Sequence, residues 1–221
     1  MANSLLERVE RIEKLEAELT SKAAPLLSAG TNIGVVDLYI MGAANRTLAQ
    51  SRGFRDMIQN KNFPCAAILL RTQIDTAMRI NGIRYLTDPD AGLRTVLSGE
   101  KTFRQLVSSD KKKMTDMYLR ERLQEENDWI GNIYHETSDF VHLSFRHLWT
   151  SADSVDDDTQ TVTFAISGED ARQDEAAYYE ACDAFFQVSK LSCPAVEDYT
   201  THDPETVSPR AYRRRQKTSP Q

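Results

Sequence analysis

Cysteine is scarce in this 221-residue chain: Cys65, Cys182 and Cys193 are an odd number set far apart. No CxxC pair exists, which excludes zinc sites of standard spacing, and Cys65 and Cys182 sit in apolar helical stretches where a thiol packs as a small hydrophobe. The compartment this usage points to is a reducing cytoplasm. Seven prolines and nine glycines are too few for a long all-β architecture with many tight turns. Long apolar runs are missing too. The longest, Cys65 to Leu70, is far too short to cross a bilayer, so no membrane span is expected. Glu7, Glu10 and Glu13 occupy the place of a signal core, so no secretory peptide is expected.

Familiar catalytic signatures are also absent. The chain has no GxxxxGK[ST], GxGxxG, GxSxG or HExxH, and no cofactor is expected. Only four histidines are present, and His135 and His142 stand two helical turns apart, too far for a two-ligand clamp. Asp156–Asp158 lacks the alternating ligands and glycine of a calcium loop. No metal site is therefore expected.

What the chain has is charge, unevenly placed. The net charge is −6, but Arg210, Arg213, Arg214, Arg215 and Lys217 all fall in the last twelve residues, which hold no acid. Residues 1–209 carry twenty-two cations against thirty-three acids, a balance of −11. Such a body repels nucleic-acid phosphates, so nucleic-acid binding is possible without being indicated. Residues 194–221 read as a disordered basic tail, able to meet RNA, anionic lipid or an acidic partner.

The apolar spacing is helical almost throughout. Residues 4–28 start with a capping-box spacing, Ser4 to Glu7, and place Leu5, Val9, Ile12, Leu15 and Leu19 on one stripe. A stripe this regular suits a partner helix, in cis or in a homo-oligomer, and residues 1–30 are expected to form a self-interface. A second helix over 32–59 has Gly53 as a possible interruption. Asn62 and Pro64 start a third, reaching about Tyr85, that reads as the central buried helix. Asp88-Pro89-Asp90 reads as a loop and 91–109 as short helical pieces. Lys111 to Trp149 reads as one long helix or two in line. Thr161–Ile166 has strand composition and is expected to pair with residues just before an acidic loop at 150–160. Ala171–Leu191 is a last helix that Pro194 ends. The fold expected is all-α: a bundle of five or six helices over 31–193, with a small β-hairpin near 150–166.

Two helices carry polar residues where a core is expected. Arg71 follows the most apolar run in the chain, and a charge there needs a partner. Asp75, one turn on, is the nearest. Tyr134, Ser138 and His142 repeat every four residues and extend to Arg146, with His135 and Asp139 in a parallel row. A Tyr, a Ser, a His and an Arg along one face have the chemistry to move a proton or to grip a phosphate. A satisfied polar network inside a bundle would use the same residues.

The run AAILLRTQID, the later YHETSDFVH and a short hairpin together resemble uncharacterised bacterial helical proteins of the HEPN-like and abortive-infection type, over roughly residues 32–192. The resemblance implies a bacterial defence or stress-response setting, a dimer, and a shared polar core or pocket at Arg71, Asp75, Tyr134, Ser138 and His142. For HEPN ribonucleases it would imply a composite cleft in which His142 serves as acid–base and an arginine anchors the phosphate. The diagnostic arginine four to six residues ahead of a histidine is missing here. Three functions stay open on the sequence: a non-enzymatic module acting through a partner or ligand, a nuclease or phosphotransfer enzyme using His142 with Arg71 or Arg146, and a structural adaptor.

Overall fold

The computed structural model describes residues 4–27, 33–145, 147, 151–164 and 173–200. Its helices are α1 (Leu5–Ala23), α2 (Val35–Gln59), α3 (Phe63–Gly82), α4 (Pro89–Leu97), α5 (Asp116–Gln124) and α6 (Ile130–Val141). A hairpin of β1 (Ala152–Asp156) and β2 (Thr161–Phe164) follows, then α7 (Glu175–Lys190) and α8 (Cys193–Thr200). The all-α bundle with a small hairpin is thus what the chain folds into. No helix among the described residues is long and apolar enough to cross a membrane.

Local sequence signals set most helix starts. The Ser4 hydroxyl accepts from the Glu7 amide at 3.2 Å and the Glu7 carboxylate accepts from the Ser4 amide at 3.3 Å. This reciprocal box satisfies two otherwise orphaned donors. Asn62 caps α3 by accepting from the Cys65 amide at 3.2 Å, with Pro64 in the first turn. Asp88 caps α4 in the same way, so Pro89 opens a helix where a loop was expected.

Helix α3 is the hub and packs against α2, α5, α6 and α7. Phe63, Ala66, Ala67, Leu70, Ile74 and Ala77 recur at helical spacing and are buried. Cys65 lies off that stripe and is exposed, so it does not pack as a core residue; Cys182 and Cys193 are buried. Phe54 of α2 stacks on Phe185 of α7 with centroids 4.1 Å apart, and Phe63 meets Phe140 and Tyr178 edge-on. Gly53 does not interrupt α2. Gly82 ends α3 where α5 crosses closely: a Cβ there would stand 2.6 Å from Leu119 Cδ2.

Helix α1 packs against α2, α7 and α8. Its stripe of Val9, Ile12, Leu15 and Leu19 is covered in cis and belongs to the same core as Val196 of α8. The surface from which an N-terminal self-interface was expected is consumed inside the bundle. Residues 4–27 are not separable from the rest. Pro194 does not close the fold either. It stands in the first turn of α8, a position where a missing N–H costs nothing. Residues 193–200 are therefore helical, and the reading of a disordered tail from 194 fails over them; the basic cluster at 210–217 lies outside the described residues.

Residues 111–149 are divided further than expected. Residues 111–115 are irregular, with a β-bridge between Val107 and Lys113, and the chain turns between α5 and α6. In the hairpin, Val155 faces Val162 and Asp156 faces Thr161, so Asp153 and Asp156 lie in a strand and the turn is residues 157–160. Val155, Val162 and Phe164 remain exposed.

Candidate functional site

The sequence-derived constellation is partly assembled, at the junction of α3, α5 and α6. Arg71 of α3 donates from Nε to the Ser138 hydroxyl at 3.2 Å. Ser138 in turn donates to the Tyr134 carbonyl at 2.6 Å, one turn back on α6. The Arg71 guanidinium carbon lies 3.8 Å from the centroid of the Tyr134 ring. Arg120 of α5 approaches the same ring at 5.4 Å. Arg71, Arg120, Tyr134 and Ser138 are all partly exposed, so water reaches the group.

Asp75 is not the partner of Arg71. It pairs with Arg79, one turn further along α3. The acid-before-base order favours this choice, because it sets each charge against the helix dipole correctly, whereas Arg71 to Asp75 runs the other way. Arg79 also reaches Asp116 at 3.0 Å, and Asp116 pairs with Arg104. The result is a ladder, Asp75–Arg79–Asp116–Arg104, beside the tyrosine; Arg104 lies within electrostatic reach of both Asp75 and Tyr134. Burial acts upward on the Asp116 carboxyl, but the bonds and charge from Arg104 and Arg79 outweigh it and hold its pKa below the ordinary carboxylate value.

The ladder consumes both carboxylates. Among the described residues, Arg71 and Arg120 have no acidic side chain within ion-pair distance. Among the described residues, no protein group bonds to the two terminal nitrogens of Arg71. Arg120 makes no hydrogen bond, and its Nε is closed off from solvent without a partner. The two distances to one ring bound their separation at roughly 9 Å. Two unit charges at that greatest separation repel by on the order of 2 kcal/mol at an effective dielectric of about 20; a closer approach raises the figure and screening by water lowers it. The tyrosine face returns part of that cost, about 0.5–1 kcal/mol for each cation at a wet site.

His142 does not join the row. Helix α6 ends at Val141, and His142 caps it in an extended conformation, φ −108° and ψ 146°. The four-residue repeat that aligned it with Ser138 therefore stops one residue early. His142 is exposed, and no contact links it to Arg71 or Tyr134. His135 faces outward on α6. Arg146 lies outside the described residues. Among the described residues no group of three or more His, Cys, Asp or Glu side chains is placed to hold a metal ion.

Two features were missed at sequence level. Arg120 sits in a highly charged helix, where nothing in the spacing separates it from its solvated neighbours. The other is a polar seam between α2 and α3. Gln73 is 0% exposed and donates to Thr47 at 3.2 Å, and Arg46 donates to Thr76 at 3.0 Å beside the Gln50 amide. The pairs Thr47–Gln50 and Gln73–Thr76 share an i,i+3 spacing, which is the signal that could have found it. This seam is internally bonded and reads as a register device rather than a site.

The arrangement offers anion recognition: two guanidiniums with unspent donors lie against one ring. No protein-family model, curated protein or solved structure matches this chain.

Proposed function

We propose that this chain is a non-enzymatic ligand-binding module whose recognition site is the Arg71–Tyr134–Arg120 group, and whose ligand carries an oxyanion. The observation that supports it is a pair of carboxylate-free arginines on one aromatic ring in a body that is otherwise acidic. The HEPN-like resemblance adds the expectation of a bacterial defence or stress-response setting. A nuclease reading needs an acid–base group within about 3 Å of the reacting atoms. His142, turned out of α6, supplies no observation in its favour, and Ser138 is already committed to the Tyr134 carbonyl.

The energetic scale is modest. A hydrogen bond to a charged group contributes about 1.5–3 kcal/mol, so two of them correspond to a dissociation constant of about a millimolar or somewhat below. The test is a titration of the full chain with inorganic phosphate, followed through the arginine Nε–Hε signals by NMR. The signals of Arg71 and Arg120 are expected to move, and His142→Ala is expected to leave the titration unchanged. A phosphate titration that moves neither arginine overturns the proposal. So does loss of binding in a folded His142→Ala variant.

A further inference from the structure

Resting on that reading, we infer that the ligand is a small molecule carrying two or more linked phosphoryl groups, not a monophosphate and not a nucleic-acid strand. The charges and donors around Tyr134 carry this inference. Six ionised side chains are counted: Arg71 and Arg120 at the ring, Arg104 within electrostatic reach of it, and Arg79, Asp75 and Asp116 joined to Arg104 through the ladder. Two positive charges are left over, and they reside on two different helices, α3 and α5. An anion with one phosphoryl group bridges one guanidinium well and leaves the other with its repulsion intact. A ligand with linked phosphoryl groups meets both.

The donor geometry separates the two arginines in the same way. Arg71 has its Nε held by Ser138, so what it presents is the end formed by its two terminal nitrogens, a fork that matches two oxygens of one phosphoryl group. Arg120 has no bond of its own and approaches the ring from another helix. Each arginine therefore engages its own phosphoryl group, and Tyr134 fixes the spacing between them. Lysines would not do this, because an ammonium lacks the planar fork that both stacks on a ring and chelates an oxyanion.

Size is set by the rest of the surface. A strand of nucleic acid extends beyond the cluster onto a body whose balance is −11 over residues 1–209. Each phosphate beyond the cluster meets net repulsion instead of releasing counter-ions from a basic groove. A compact polyphosphate places all its charge inside the cluster and none outside it. The charge asymmetry thus selects for a short, dense anion.

The experiment is isothermal titration of the full chain with three probes at ~0.15 M salt: orthophosphate, pyrophosphate and a single-stranded RNA decamer. Pyrophosphate is expected to bind about tenfold or more tighter than orthophosphate, the yield of one additional charge-assisted contact. Arg120→Gln and, separately, Arg71→Gln should each bring pyrophosphate down to the orthophosphate level. Arg71→Lys keeps the charge without the fork and is expected to fall with Arg71→Gln. A thermal melt of each variant establishes that it is folded. Equal affinity for orthophosphate and pyrophosphate overturns this inference and leaves the anion-binding reading standing. Binding of neither overturns both. An RNA decamer that binds tighter than pyrophosphate and loses affinity in Arg71→Gln overturns the assignment of ligand size.

Discussion

Two faces of the bundle use the same chemical pieces differently. On the α1–α7 face, Arg8 lies over the Tyr179 ring and Arg11 over Phe186, each at 4.2 Å, and both guanidiniums also bond to Asp183. On the α3–α6 face, Arg71 lies over Tyr134 at 3.8 Å and, among the described residues, no carboxylate joins it. The first is closed in charge: Asp183 answers both cations and fastens the helices, although Arg11 Nε is itself buried without a partner. The second has the ring and the cations, with its carboxylates spent on the neighbouring ladder. An arginine on an aromatic ring is therefore not by itself a sign of function. What distinguishes the two faces is whether the charge is answered from within the protein.

The largest expected effect lies in the core behind the closed face. Phe185 is fully buried and stacks on Phe54; Phe185→Ala is expected to cost about 3–5 kcal/mol in urea unfolding. Next is the seam itself. Asp183→Ala strands two arginines at once, and because the carboxylate is 42% exposed the loss should be only about 1–2 kcal/mol by the same measurement. If it costs nothing, the closed face is not held by charge and the comparison fails.

The ladder gives a pH signature. Asp116 has a folded pKa below its unfolded value, so its contribution is present above the unfolded pKa, near ~4, and is lost as pH falls through the lower folded value. The wild-type chain is expected to lose stability more steeply than Asp116→Asn on acidification below about pH 4. Melts of the two proteins taken across that range should converge at the acid end. The smallest effect belongs to the open face. Arg120→Gln in phosphate-free buffer removes a repulsion and is expected to change stability by no more than about 0.5 kcal/mol, in either direction. A large destabilisation there would mean that Arg120 is a structural fastener like Arg8.

Where the sequence was informative, a local rule was enough. Ser4 with Glu7, and Asn62 with Pro64, announce helix starts because the cap and the helix lie within three residues of each other. Arg71, Tyr134 and Ser138 were legible as a group because polar side chains at core spacing stand out. The choice of Arg79 by Asp75 was also local, and only the order of the charges decides it. His142 was misaligned because a periodicity argument assumes that the helix continues, and α6 stops at Val141. Arg120 and the burial of α1 were out of reach for another reason. Both depend on contacts between segments far apart in the chain, and nothing in a charged nine-residue helix says which of its arginines faces a distant tyrosine.

The burial of α1 bears on how the protein is made. Its stripe is covered by α2 and, far later in the chain, by α7 and α8, which begin at Glu175 and Cys193. During synthesis from the N-terminus, at ~5–20 residues per second, that stripe waits roughly 10–30 s for its cover. The part of the stripe that α7 and α8 cover thus stays open on the nascent chain until those helices emerge. Helix α1 completes its packing only once helices more than 150 residues later have been made.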